Sequence, residues 1–144
     1  MKAPRKVHPG RALQPSVEGG NTAASDVERV RDGLRLFNER YFFEAHEVLE
    51  DVWHRDHGES RLFLQGLIQI CAGFHHVQNG NPRGAAELLQ RGSDKMRKYP
   101  DGYMGLDSAR LLSDVDACRG RIERMRDGVD PESPIDFPTI PLPP

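Results

Sequence analysis

The stretch Phe42-Phe43-Glu44-Ala45-His46-Glu47-Val48-Leu49-Glu50-Asp51-Val52-Trp53 decides the fold. Ala45, Leu49 and Val52 recur at helical steps, and Tyr41 and Val48 widen the stripe they make. The spacing predicts an amphipathic helix from Tyr41 to about His54, with Phe42 and Trp53 flanking its apolar face. Glu44 and Asp51 share one flank. On the other, about 100–140° from the core direction, lie His46 and Glu50, with Trp53 beside them. Glu47 sits a little further round.

Upstream, Ser25-Asp26-Val27-Glu28 has the form of a capping box, with a hydroxyl three residues before a carboxylate. Val27, Val30, Leu34 and Phe37 follow at helical spacing, which predicts a helix from about Asp26 to Glu39. The link of Asn38 to Tyr41 is short enough to make the two helices an antiparallel hairpin. Downstream, His57-Gly58 closes the second helix. A third, from about Ser60 to Val77, is apolar over most of its circumference through Leu62, Phe63, Leu64, Leu67, Ile68, Ile70, Cys71, Phe74 and Val77. Gly66 and Gly73 are poor helix formers whose use there is to admit a neighbouring helix closely.

Asn79-Gly80-Asn81-Pro82 stops the third helix and restarts the chain, with Asn81 as N-cap and Pro82 at the first helical position. A fourth helix then runs from about Pro82 to Lys98. A fifth runs from near Asp107 to Gly128, carrying Leu111, Leu112, Val115, Cys118, Ile122 and Met125. No alternating strand pattern occurs. The expected fold is all-α: a compact single-domain bundle of about five helices over residues 25–128.

The flanks differ from this middle. Residues 1–24 are rich in Pro, Gly and small polar residues and hold four basic groups against one acid, Glu18. They read as a disordered leader. Residues 129–144 are acidic and proline-rich and read as an extended tail, with Ile135, Phe137 and Ile140 able to pack on the bundle. The net charge of −2 supplies no field for nucleic acid or an anionic membrane. No apolar run approaches the roughly 18–20 residues of a membrane span, and no apolar stretch follows the basic N-terminus as a secretory signal requires. Cys71 and Cys118, both in apolar helical patterns, fit two buried thiols in a reducing cytoplasm. No CxxC or Cys/His metal spacing occurs; His46 and Glu50 are a workable pair of metal ligands, and the sequence leaves any cofactor unknown.

Two groups of side chains carry chemistry. His46 and Glu50 are four apart, so their side chains meet on one helix face. Glu50 can orient the imidazole and Trp53 can exclude water, which makes His46 an acid–base candidate with Glu50 and Glu47 as partners. The plainer reading is a solvated i, i+4 pair. The second group is on the third helix, where Arg61, Gln65, Gln69 and His76 fall within about 80° of one another. Amides and an imidazole in one narrow stripe suit hydrogen bonding in a restricted space. The stripe reads equally as ligand contacts or as a buried network that holds helix register.

Phe42 to Trp53, taken with Arg61, Phe63-Leu64-Gln65-Gly66-Leu67-Ile68-Gln69, His76, Gly80-Asn81, Gly84-Ala85 and Leu88-Leu89, resembles a small family catalogued as domain of unknown function 309. The resemblance runs from about Leu36 to Pro100. It implies a compact bundle of about five helices and no activity. Its signature positions correspond to Glu44, His46, Glu47, Glu50, Trp53, Arg61, Gln65, Gln69 and His76.

Two functional readings follow. One is a small-ligand or metal-binding pocket between the second and third helices, lined by His46, Glu50, Trp53, Arg61, Gln65, Gln69 and His76, with Arg61 suited to an acidic or phosphate-bearing molecule. The other is a non-catalytic helical module with a structural polar core, whose partner is a protein. It calls for a sizeable exposed apolar patch. Whether the chain is an enzyme, and its oligomeric state, are not written in the sequence.

Overall fold

Residues 22–130 and 134–142 are described by a computed structural model of the protein, with side chains from residue 26 onward. Five helices follow one another: α1 (Thr22–Asn38), α2 (Phe42–Arg55), α3 (Arg61–Gln78), α4 (Pro82–Met96) and α5 (Ser108–Arg126), with a 3-10 turn at Tyr103–Gly105 between the last two. There is no strand among the described residues. None of these helices is long and apolar enough to cross a membrane. The expected all-α bundle is what the chain forms.

The expectation of a disordered leader over residues 1–24 lies outside the described residues, apart from Thr22–Ala24, which open α1. The capping box at Ser25 is therefore not the helix start. Ser-Asp-Val-Glu tolerates a helix interior as well as a cap, and α1 runs through it. At the starts of α4 and α5 the sequence reading holds, with the Asn81-Pro82 restart and a helix beginning next to Asp107. Asn81 accepts a hydrogen bond from the Gly84 amide at 3.1 Å as the α4 N-cap, and Pro82 occupies the first turn. Asp107 caps α5 through the Arg110 amide.

Three helices end in the same hydrogen-bonded reversal. After α1, the Tyr41 amide donates to the Leu36 carbonyl and the Arg40 amide to Phe37. The same pair of bonds joins Asn81 and Gly80 to His76 and Val77 after α3, and Val129 and Gly128 to Arg124 and Met125 after α5. This motif needs one residue in the left-handed region. Gly80 and Gly128 supply it with φ of +75°, but after α1 the position is Arg40, with φ of +70°.

Each helix packs mainly on the next, and α3 against α4 is the most extensive pairing. The reason is glycine. A Cβ built on Gly66 would lie 2.7 Å from the Gly92 carbonyl oxygen, and one on Gly92 would lie 2.5 Å from that of Gly66. Only two bare backbones fit at that crossing. Around it, Leu34, Phe37, Phe42, Leu49, Phe63, Leu64, Leu67, Ile70, Phe74, Leu89, Met96 and Leu106 are fully buried. Tyr99 and Tyr103 pack edge-on against Phe63 and tilted against each other. The Tyr99 hydroxyl donates to the Glu59 carbonyl at 2.6 Å, which fastens the loop after α4 to the α2–α3 link.

The tail forms a strap. Residues 134–142 run extended across the bundle, with Ile140 buried and Ile135 and Phe137 packed on the core. The Phe137 ring lies 5.1 Å from Phe42 and 5.4 Å from Phe74. At the far end, Asn38 Nδ2 donates to the Ile140 carbonyl at 2.8 Å and the Ile140 amide donates to Asn38 Oδ1 at 2.7 Å.

Candidate site on the face shared by α2 and α3

Two observations orient α3. Gly66 and Gly73 meet α4, while His75 and Arg61 meet α2, through Phe43 at 5.2 Å and Trp53 at 3.9 Å. Gln69, His76, Gln65, Ala72 and Arg61 lie between these two sides, about 60–140° round from Gly66. All five are half-buried. The polar stripe is therefore a half-buried, outward-facing strip that lies between the α2 side and the α4 side of the helix. The helix expected to be apolar over most of its circumference, with one narrow polar stripe, has that stripe on its half-buried side.

On the α2 side the expected pair is formed. His46 Nε2 lies 3.6 Å from Glu50 Oε2, with the side chains 24% and 40% exposed. That separation is an ion-pair distance, longer than a good hydrogen bond. The ring stacks on Phe43 at 5.7 Å, so Phe43 sits between His46 and His75 and fixes the imidazole from the side away from Glu50. His46 Nδ1 is buried and has no hydrogen-bond partner among the described residues, and the same is true of Trp53 Nε1. His46 and Trp53 are seven residues apart, two turns along one face.

The other predicted residues divide. Arg61 is used by the fold: its Nη1 donates to the carbonyls of Trp53 at 2.8 Å and Asp56 at 3.0 Å, while the guanidinium covers the Trp53 ring. It caps the C-terminal end of α2, so one of its nitrogens is already spent on backbone. Gln69 Oε1 accepts from Lys95 of α4 at 2.9 Å. His76 Nδ1 lies 3.2 Å from the Asn81 side-chain nitrogen, at the α3–α4 turn. Gln65 is half-buried in mid-strip. Glu47 is half-buried on α2, round from the pair. The structure thus brings together His46 with Glu50 and Trp53 with Arg61, and directs Gln69 and His76 to α4 and its turn. Phe43 and Lys95 escaped the sequence reading. Phe43 at i−3 from His46 was the available signal; nothing local links Lys95 to Gln69.

No group of three or more His, Cys, Asp or Glu among the described residues is placed to hold a metal ion. Burial pushes the Cys71 thiol far up, and burial with the nearby charges of Asp136 and Asp114 pushes Cys118 up to about 11. Neither is a nucleophile at neutral pH.

Residues 30–88 match the family described as domain of unknown function (DUF309). The matched span runs from late α1 into α4 and contains the whole of the strip except Lys95. Among curated proteins, an uncharacterized protein of Aquifex aeolicus (strain VF5) is 25% identical over 99 residues, which is 68% of this chain and 30% of that protein. Uncharacterized protein YpuF of Bacillus subtilis (strain 168) is 32% identical over 89 residues, 58% of this chain and 50% of that protein. The chain therefore aligns with half or less of either relative's length. No solved structure matches it.

Proposed function

We propose that this DUF309 domain binds a small molecule on the strip between α2 and α3. His46 is the acid–base or hydrogen-bonding group, Glu50 its partner with Glu47 on the rim, Trp53 the wall, and Gln65 and Gln69 the polar contacts. His76 closes the end of the strip at the α3–α4 turn. The carrying observation is the pair of buried ring nitrogens, His46 Nδ1 and Trp53 Nε1, without partners on one helix face. Leaving a buried polar group unpaired costs about 1–3 kcal/mol, a sizeable fraction of a domain's roughly 5–15 kcal/mol. A ligand oxygen accepting from the indole, and a group meeting the imidazole, would recover that cost. Because Arg61 is engaged with backbone, it acts as a support of Trp53, and the ligand's hydrogen-bonding atoms matter more than its charge.

The interaction-module reading has no specific support. The exposed large apolar side chains among the described residues are Val27, Tyr41, Met104, Val129 and Leu142. They lie on five separate segments and not on one helix face.

The test is a thermal-shift screen of the full chain against neutral and acidic metabolite-sized compounds, repeated on Trp53→Phe and His46→Gln. A compound that raises the wild-type melting temperature, and does so for neither variant, supports the site. Trp53→Phe keeps an aromatic ring and removes the orphan N–H, but the ring is smaller and loses packing against Arg61, so each shift is read against that variant's own melting temperature without ligand. Hits that stabilise all three proteins equally would refute the assignment.

A further inference from the structure

Between the end of α4 and the start of α5 lies an open hollow of about 370 Å³, within the roughly 300–1,000 Å³ of small-molecule sites. One side is the α5 face of Ala109, Leu112, Ser113 and Asp116. These residues recur at steps of three and four and so line up along the helix. The other side is Arg97, the C-cap of α4, with Tyr99 and Asp101 from the loop after it. Two polar bridges join the sides. Asp101 Oδ1 accepts from the Ala109 amide at 3.0 Å and from the Ser108 hydroxyl at 3.4 Å. Arg97 Nη2 donates to Asp116 Oδ2 at 2.6 Å. Ala109 and Asp116 are two helical turns apart, about 10 Å along α5. Between them the face carries only the buried Leu112 and the short Ser113 side chain.

The lining is held from outside the hollow, so it keeps its shape. The Tyr99 hydroxyl is fastened to the Glu59 carbonyl, and its ring packs against Phe63 and Tyr103. Asp116 is gripped a second time by Arg119 Nη1 at 3.0 Å. The charges that meet here cancel: Arg97 and Arg119 oppose Asp101 and Asp116, and Asp107 at the N-cap faces the positive end of the α5 dipole. A lining without net charge has no field to gather an anion or a cation. Its uncommitted polar atoms are of both kinds. Among the described residues, Asp101 Oδ2 is an acceptor without a bond, Arg97 Nε and Nη1 are donors without one, and the Ser113 hydroxyl can do either. A hydroxyl group suits both kinds, because it donates and accepts at one atom. Leu112, Ala109 and the Tyr99 ring supply apolar area between them.

We propose that this hollow binds a neutral polyhydroxylated molecule of about one sugar ring. Its neighbouring hydroxyls meet Asp101, Arg97 and Ser113, and its C–H face rests on Leu112 and Tyr99. These residues lie outside residues 30–88, the span that matches the family. None of them belongs to the strip between α2 and α3, so the inference does not depend on the ligand proposed there. For so small a molecule in an open hollow the dissociation constant should be on the order of millimolar.

Amide NMR of the isotope-labelled full chain, titrated with D-glucose and with myo-inositol, tests the site. Saturable shifts are expected at the Ala109 and Ser113 amides with at least one of the two, at least tenfold tighter than with cyclohexanol, which has a single hydroxyl. Asp101→Asn keeps the bond to α5, since an Asn side-chain oxygen accepts as Asp does, and turns the second oxygen into a donor. It should weaken binding at least tenfold. Ser113→Leu fills the hollow from an exposed helix position and should abolish binding, with circular dichroism confirming that the helices persist. Inorganic phosphate and ethanolamine, at matched ionic strength, should give no saturable shift at these amides. Three results would each overturn the proposal. They are saturation of the same amides by phosphate or ethanolamine, binding that survives Ser113→Leu, and no saturation with either polyol up to about 100 mM, well above the expected constant.

Discussion

At Gly66 the α3 backbone lies against Gly92 of α4, and a Cβ would meet a carbonyl oxygen at 2.7 Å. Gly66→Ala gains helix propensity of about 1 kcal/mol but must force two helices apart, which costs about 1–3 kcal/mol or more. The expected net is destabilisation of up to about 2 kcal/mol by urea unfolding. Gly120 is the internal control: it is exposed in α5, with nothing within 4 Å of an added Cβ. Gly120→Ala should stabilise by about 0.5–1 kcal/mol, and a loss there would show that α5 has a neighbour on that face. The cysteines make a second prediction at this scale. Cys71 is fully buried, and Cys118 is buried with its thiol held by Asp136. Neither should react with a disulfide reagent at pH 8 in the native protein, and both should react in denaturant. Loosening the strap with Phe137→Ala should speed modification of Cys118 while leaving Cys71 protected, since only Cys118 is covered by the tail.

The α1–α2 turn places an arginine where its two sister turns use glycine. A non-glycine residue there costs about 1–2 kcal/mol, and the observed return is the Arg40 guanidinium over Phe137, worth about 0.5–1 kcal/mol at an exposed site. Arg40→Gly should therefore change stability little in the wild-type chain and raise it by about 1 kcal/mol in a Phe137→Ala background, a coupling that a double-mutant cycle measures. This turn also shows why some of the fold was legible and some not. Helices α2 to α5 were readable because their apolar stripes and the Asn81-Pro82 cap are local signals. The left-handed Arg40 was not, because its compensation comes from residue 137. The Thr22 start of α1 was not, because a capping box also suits a helix interior. At the site, the His46–Glu50 pair follows from i, i+4 spacing alone. The diversion of Arg61 to the end of α2 and of Gln69 to Lys95 depends on how separate helices are set beside each other, which no single-helix pattern carries.

Across the whole molecule, contacts between neighbouring helices in sequence dominate, and the strap is the exception, joining residues 38 and 140. Local contacts form early in folding, while long-range ones wait for loop-closure entropy to be met. The helical bundle should therefore assemble first and the tail last. In kinetic terms, Phe137→Ala, expected to cost about 2 kcal/mol for a half-buried aromatic, should leave the refolding rate nearly unchanged and accelerate unfolding by roughly an order of magnitude or more. Stopped-flow measurement in urea would show this as a shift of the unfolding arm only; a slowed refolding arm would place the strap in the folding nucleus. The strap, held by Phe137 and by the Asn38–Ile140 pair, thus acts as a latch on lifetime more than on foldability. The bundle reaches its shape without the latch, and how long it keeps that shape, and so how long it evades proteolysis, depends on whether the last residues of the strap are fastened.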